Sequence, residues 1–135
     1  MNILVLCTGN SCRSQIAEGF LKSKLSKHNI YSAGIETHGV NPRAIATMQE
    51  IGIDISNHTS NHIDEYSSVE FDHIITVCDH AFENCPTLPS RAKVHHFNFP
   101  DPAKAHGLED EIKQVFADVR NMIDKYTTEF KGKLS

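Results

Sequence analysis

Cys7-Thr8-Gly9-Asn10-Ser11-Cys12-Arg13-Ser14 follows the apolar run Ile3-Leu4-Val5-Leu6 and precedes a stretch with helical spacing, so it reads as a strand-to-helix turn. Cys7 and Arg13 enclose five small or polar residues, and the hydroxyl of Ser14 comes directly after them. A turn of this kind forms an oxyanion cradle with a nucleophile at its floor. Gly9 lets the backbone curl, so that successive N–H groups from Thr8 to Ser14 face one point. The helix starting near Arg13 adds its positive end to the same point. Arg13 supplies a planar fork of donors that matches a tetrahedral oxyanion. Cys7, held among these charges, is expected to have a lowered pKa and to be a thiolate at neutral pH. Ser14 is placed to donate a hydrogen bond to it.

At 135 residues the chain is expected to form one domain spanning residues 1–135, with a single packed core. Thirteen basic and 17 acidic residues give a net charge of −4, so no basic face for nucleic acid is expected. An acidic protein that binds an oxyanion must do so with local donors rather than long-range steering. The apolar runs are too short to span a membrane, and no basic-then-apolar leader is visible, which points to the cytoplasm. In that compartment four cysteines read as reactive groups or metal ligands rather than structural staples. They form no C-x2-C pair, and His58 and His62 at helical spacing have no evident third ligand, so no metal site is expected.

Residues 2–6 read as a buried strand, and a helix is expected from about Ser14 to Leu25. Ile30–Ala33 reads as a second strand. Asn41-Pro42 starts a helix that carries Ala44, Ile45, Met48 and Ile51 inward and stops at Gly52. Residues 54–70 read as a loop with a short helix. His73–Val77 and Lys93–Phe97 read as the third and fourth strands. The last helix is expected over about Leu108–Tyr126, with Leu108, Ile112, Val115, Phe116, Val119, Met122, Ile123 and Tyr126 as its inner stripe. Strands and helices alternate, which indicates an α/β fold with a parallel sheet and helices on both faces.

Cys7 and Cys78 each stand one step past the C-terminal end of a strand, at the edge where open parallel sheets carry their sites. If those strands are neighbours, about 4.8 Å apart, the two cysteines come within disulfide reach. Cys85 lies seven residues beyond Cys78, about 10 Å along an intact helix. A Cys78–Cys85 bond therefore requires the segment to loop out, and that segment is expected to be mobile. Cys12 reads as a cradle residue contributing its backbone N–H. Asp101, before Pro102, reads from sequence alone as a turn aspartate.

Cys-x5-Arg-Ser at the first strand–helix turn resembles the low-molecular-weight protein tyrosine phosphatase fold. The string Cys7 to Gln15 with Ala17-Glu18-Gly19, the stretch Ser32 to Pro42 and the stretch Asp54 to Ser60 resemble the arsenate reductases built on that fold. The resemblance implies a four-stranded sheet in the order 2-1-3-4. It implies arsenate as substrate, Cys7 as nucleophile, Asp101 as general acid, and a relay of Cys7–Cys78 and then Cys78–Cys85 disulfides. Thioredoxin is the electron donor it implies, in preference to glutaredoxin or mycothiol, with no tightly bound cofactor and a monomeric enzyme. Some relatives bind potassium at positions matching Asn10, Glu18, Ser32 and Asn61; Asn61 replaces a carboxylate there, which weakens that site.

The nearest rival is a tyrosine phosphatase using Cys7, Arg13 and Asp101. It has no use for Cys78 and Cys85, and phosphatases place an aromatic residue where this chain has Ala103. A non-catalytic redox-sensing module that binds an oxyanion has no need of an acid such as Asp101.

Overall fold

The computed structural model describes residues 1–79, 81 and 92–134. Strand β1 (Asn2–Cys7) is the centre of the sheet, and Ile3, Leu4, Val5 and Leu6 are all fully buried. Successive strand side chains point to opposite faces, so both faces of β1 are covered. It pairs in parallel with β2 (Asn29–Gly34) on one side and β3 (His73–Thr76) on the other. Strand β4 (Lys93–His96) adds to β3, giving four parallel strands in the order β2-β1-β3-β4. This is the order the family resemblance implies.

Helix α1 (Arg13–Lys24) buries Ile16, Ala17, Phe20 and Leu21, as their spacing predicts. Its upper turns also bury Ser14, Gln15 and Glu18, three polar residues that serve the site. Helix α2 (Pro42–Gln49) starts as expected, with Asn41 Oδ1 accepting from Arg43 N–H at 2.8 Å. Ala44 and Met48 are buried, but Ile51 is 43% exposed. Ile51 follows the helix end, where the chain turns toward Gly52 at φ +80° and the helical phase no longer applies.

Within 54–70 the chain forms one short 3-10 turn, Ile63–Tyr66. His58 and His62 do not share a helix: His62 caps this turn, its Nδ1 accepting from Asp64 N–H while Glu65 accepts from His62 N–H.

Helix α3 (Glu109–Leu134) extends eight residues beyond the expected end at Tyr126. Its buried stripe of Phe116, Val119 and Ile123 continues through Thr127 and Phe130, and this burial carries the helix on. Leu108 precedes the helix and is 72% exposed, and Met122 falls beside the stripe at 46% exposed. Helix α3 packs on both α1 and α2. Among the described residues no helix is long and apolar enough to cross a membrane.

Candidate active site

Strand β1 ends at Cys7 and α1 begins at Arg13, so residues 8–12 form the turn that the sequence indicates. Its curl comes from a different residue. Asn10, not Gly9, occupies the left-handed region, at φ 48°, and it is fully buried. Asparagine tolerates that conformation when its amide finds local partners. Here Asn10 Oδ1 accepts from Ser14 Oγ at 2.8 Å and from Gln15 Nε2 at 3.0 Å, and its carbonyl takes a second bond from Gln15 Nε2. Gly9 matters for a different reason: a Cβ there would stand 2.6 Å from the ring of His38, and that exposed side chain would have to move aside. The Ser14 hydroxyl is thus spent on Asn10 rather than on a cysteine sulfur.

Gln15 is the hub behind the cradle. It also donates to Thr59 O, and its Oε1 meets His58 Nδ1 at 3.0 Å. Burial lowers the His58 pKa, which keeps the ring neutral in this position.

Arg13 is fixed across the mouth. Its Nη1 donates to Phe99 O at 2.9 Å and its Nη2 lies 3.7 Å from Asp101 Oδ2. Asp101 in turn caps the short turn Pro102–Lys104, accepting from Ala103 N–H at 3.0 Å. The turn aspartate therefore also lines the site, held by its own cap. A cavity of about 230 Å³ is lined by Cys7, Thr8, Gly9, Ser11, Cys12, Arg13, His38, Asp101 and Ala103.

Leu6 pairs with Thr76 across β1 and β3, and Val77 N–H donates to Leu6 O at 3.1 Å. That register carries Cys78 beside Cys7, with its Sγ 3.8 Å from Cys7 Sγ and 3.2 Å from Thr8 Oγ1. Both cysteines are buried and reduced. The pair titrates jointly. The hydrogen bond to Cys78 raises the Cys7 pKa, and burial adds to the effect. The same bond, with help from Thr8 and the Ala81 N–H, lowers Cys78 to about 5. The shared bond thus shifts the proton toward Cys7 and the charge toward Cys78, whereas the sequence considers Cys7 by itself. The difference arises because the turn itself does not reveal the second sulfur facing it. Burial pushes Cys12 up to about 11, with Asp101 adding to it, so Cys12 remains a thiol. The thiolate absorbance of the reduced protein is expected to titrate with a midpoint near 5. Replacing Cys7 with alanine, which cannot donate, should move that midpoint upward, and an unchanged midpoint would show that the two sulfurs are not coupled.

Cys85 lies outside the described residues, as does the stretch from 82 to 91. Glu18, Ser32 and Asn61 line one polar pocket, and Asn10 Nδ2 donates to Asn61 O. Their oxygens are engaged by other groups of the chain. Ser32 Oγ donates to Glu18 Oε1, the Lys22 ammonium sits 2.6 Å from Glu18 Oε2, and Asn61 Oδ1 accepts from Thr59. Among the described residues no cluster of three or more His, Cys, Asp or Glu side chains is arranged to hold a metal. Sequence reasoning missed Gln15, His38, His58 and Phe99 as parts of the site. Only Gln15 carried a usable signal, as a polar residue on the inner side of α1.

Residues 2–135 match the family model described as low molecular weight phosphotyrosine protein phosphatase. The chain is 52% identical over 124 residues to an arsenate reductase of Halalkalibacterium halodurans, covering 91% of this chain and 89% of that protein. It is 48% identical over 129 residues to an arsenate reductase of Bacillus subtilis, covering 95% and 93% respectively. Among solved structures, an arsenate reductase in its oxidized state matches with a TM-score of 0.81 at 31% identity, over 99% of this chain and 98% of that one. The tyrosine phosphatase Wzb from Escherichia coli K30 shares the fold, with a TM-score of 0.84 at 24% identity, over 99% of this chain and 98% of that one.

Proposed function

The chain belongs to the low molecular weight phosphotyrosine protein phosphatase family, and from that membership we propose that it is an arsenate reductase working through a cysteine relay. The observation that carries this reading is the second sulfur, Cys78, at 3.8 Å from Cys7. Hydrolysis of a phosphate ester needs one nucleophile there; reduction needs a second thiol to take the first one's place.

Arsenate lies in the N–H cradle against the Arg13 fork. The shared proton passes from Cys7 to Cys78 as Cys7 attacks arsenic, and Asp101 protonates the departing oxygen, which leaves as water. Cys78, deprotonated again, attacks Cys7 Sγ. The S–S bond forms, the S–As bond breaks, and its electron pair stays on arsenic, which leaves as arsenite. Cys85 then attacks Cys78 and frees Cys7, and thioredoxin reduces the resulting Cys78–Cys85 disulfide. The reducing conditions this cycle needs are those of the cytoplasm, and a monomer contains every group it uses. Ala103 at the mouth offers no ring to stack on an aryl ester, so phosphatase activity is at most a residue of the shared cradle.

The test is NADPH oxidation driven by arsenate in the presence of thioredoxin and thioredoxin reductase. Turnover is expected with the natural chain and not with Cys85→Ser. Turnover that persists in Cys85→Ser would overturn the relay, and none in the natural chain would overturn thioredoxin as the donor. Because Lys22 already serves Glu18, rates in potassium and sodium buffers of equal ionic strength should agree. A severalfold gain in potassium would contradict this.

A further inference from the structure

The residue that follows Cys78 is held from β4 and its extension by two separate bonds. Asp79 N–H donates to Asn98 Oδ1 at 3.2 Å, and Asp79 Oδ1 lies 2.7 Å from His96 Nε2. A carboxylate only accepts, so Nε2 carries a proton. The imidazole is fixed at its other end, where Nδ1 sits 2.8 Å from Oγ1 of the fully buried Thr76. Before Cys78 the ladder continues past both strands, with Phe97 N–H on Thr76 O and Phe99 N–H on Val77 O. The main chain is therefore pinned on both sides of the cysteine.

The energy of this clasp does little for the fold. Asp79 is 63% exposed and His96 26% exposed in their side chains, and ion pairs in such surroundings contribute little to stability. Its direction matters more. Cys78 must reach Cys7 along the line of the bond it breaks, and small misplacements of a reacting group cost large factors in rate.

We infer that Asp79, His96 and Asn98 are positioning residues that aim the Cys78 sulfur at Cys7. This role rests on the arsenate reductase reading. The clasp acts at the step in which arsenic leaves Cys7 and has no part in binding arsenate.

The test uses reduced Cys85→Ser protein mixed with excess arsenate in the absence of any other reductant. One arsenite per chain should appear together with a Cys7–Cys78 disulfide, both countable after acid quench. Adding Asp79→Ala should slow that burst by on the order of tenfold, the weight of one charge-assisted hydrogen bond. The arsenate concentration giving half the maximal burst rate should not change. Asp79→Asn keeps an oxygen for His96 and should recover most of the rate. Equal burst rates in Asp79→Ala and its parent would overturn the clasp, as would a slow burst accompanied by weakened arsenate saturation. A parent that gives no burst would overturn the reductase reading and the clasp with it.

Discussion

Cys78→Ser is expected to cut steady-state arsenite production by on the order of 10³-fold or more, the scale on which loss of a reacting nucleophile is felt. Serine has nearly the shape of cysteine and can keep the contact with Thr8 Oγ1, so the cradle and arsenate binding should survive. What disappears is the sulfur that stands 3.8 Å from Cys7 Sγ. The arsenic–Cys7 bond then forms and waits, since a hydroxyl cannot take its place with a disulfide. Serine has no ionisable sulfur to share a proton with Cys7, which leaves Cys7 freer to act as a nucleophile. Arsenite measured after stopped reactions with thioredoxin and its reductase checks the first point, and hydrolysis of an aryl phosphate checks the second. Arsenite release at wild-type rate would remove Cys78 from the reaction.

The second large effect is structural. Gly34 ends β2 opposite Cys7, and its N–H donates to Asn61 O at 2.8 Å. Its φ is not in the left-handed region, so dihedral freedom is not what keeps it a glycine. A Cβ would stand 2.4 Å from Glu36 O, 2.7 Å from Thr8 O and 2.8 Å from Asn10 N. All three are main-chain atoms, and two belong to the cradle. Gly34→Ala is therefore expected to cost about 3 kcal/mol, at the upper end of overpacking effects. In a domain of this size that lowers Tm by about 10 °C. Arsenate affinity should fall as well, because Thr8 and Asn10 must shift to admit the methyl group. Gly132→Ala is the control. Nothing lies within 4 Å of its added Cβ, and it sits inside α3, so its Tm should hold or rise slightly. A Gly34→Ala protein that melts with the parent would show that the cradle yields more easily than its packing implies.

These two residues mark the boundary of what could be read before folding. Cys7 to Ser14 is a local object, and a strand, a glycine and a helix on either side were enough to identify it. The approach of Cys7 and Cys78 was legible only on the condition that their strands are neighbours, an order that the family resemblance supplied and the sheet shows. The reasons for particular residues inside the cradle did not follow. Gly9 answers to His38, 29 positions away in the chain, and Gly34 answers to the main chain of Thr8 and Asn10. The left-handed turn at Asn10 depends on Gln15, which is itself anchored on Thr59. The lowering of the Cys78 pKa was missed for the same reason, since a coupled pair is a property of two strands in register. The extent of α3 was underestimated at Tyr126, although Thr127 and Phe130 keep the phase of Phe116 and Ile123.

Asn10 and the side chains that lock it have one more implication, which concerns competition inside the cell. A cradle held rigid by buried amides selects for tetrahedral shape and charge, and it spends nothing on rearranging when its guest arrives. Phosphate has that same shape and charge, and no cell lacks it. Fit therefore gives little discrimination between the two anions, and the distinction falls to chemistry: phosphorus does not accept the electron pair that arsenic takes. The rate of detoxification then follows the ratio of arsenate to phosphate around the protein rather than the amount of arsenate alone.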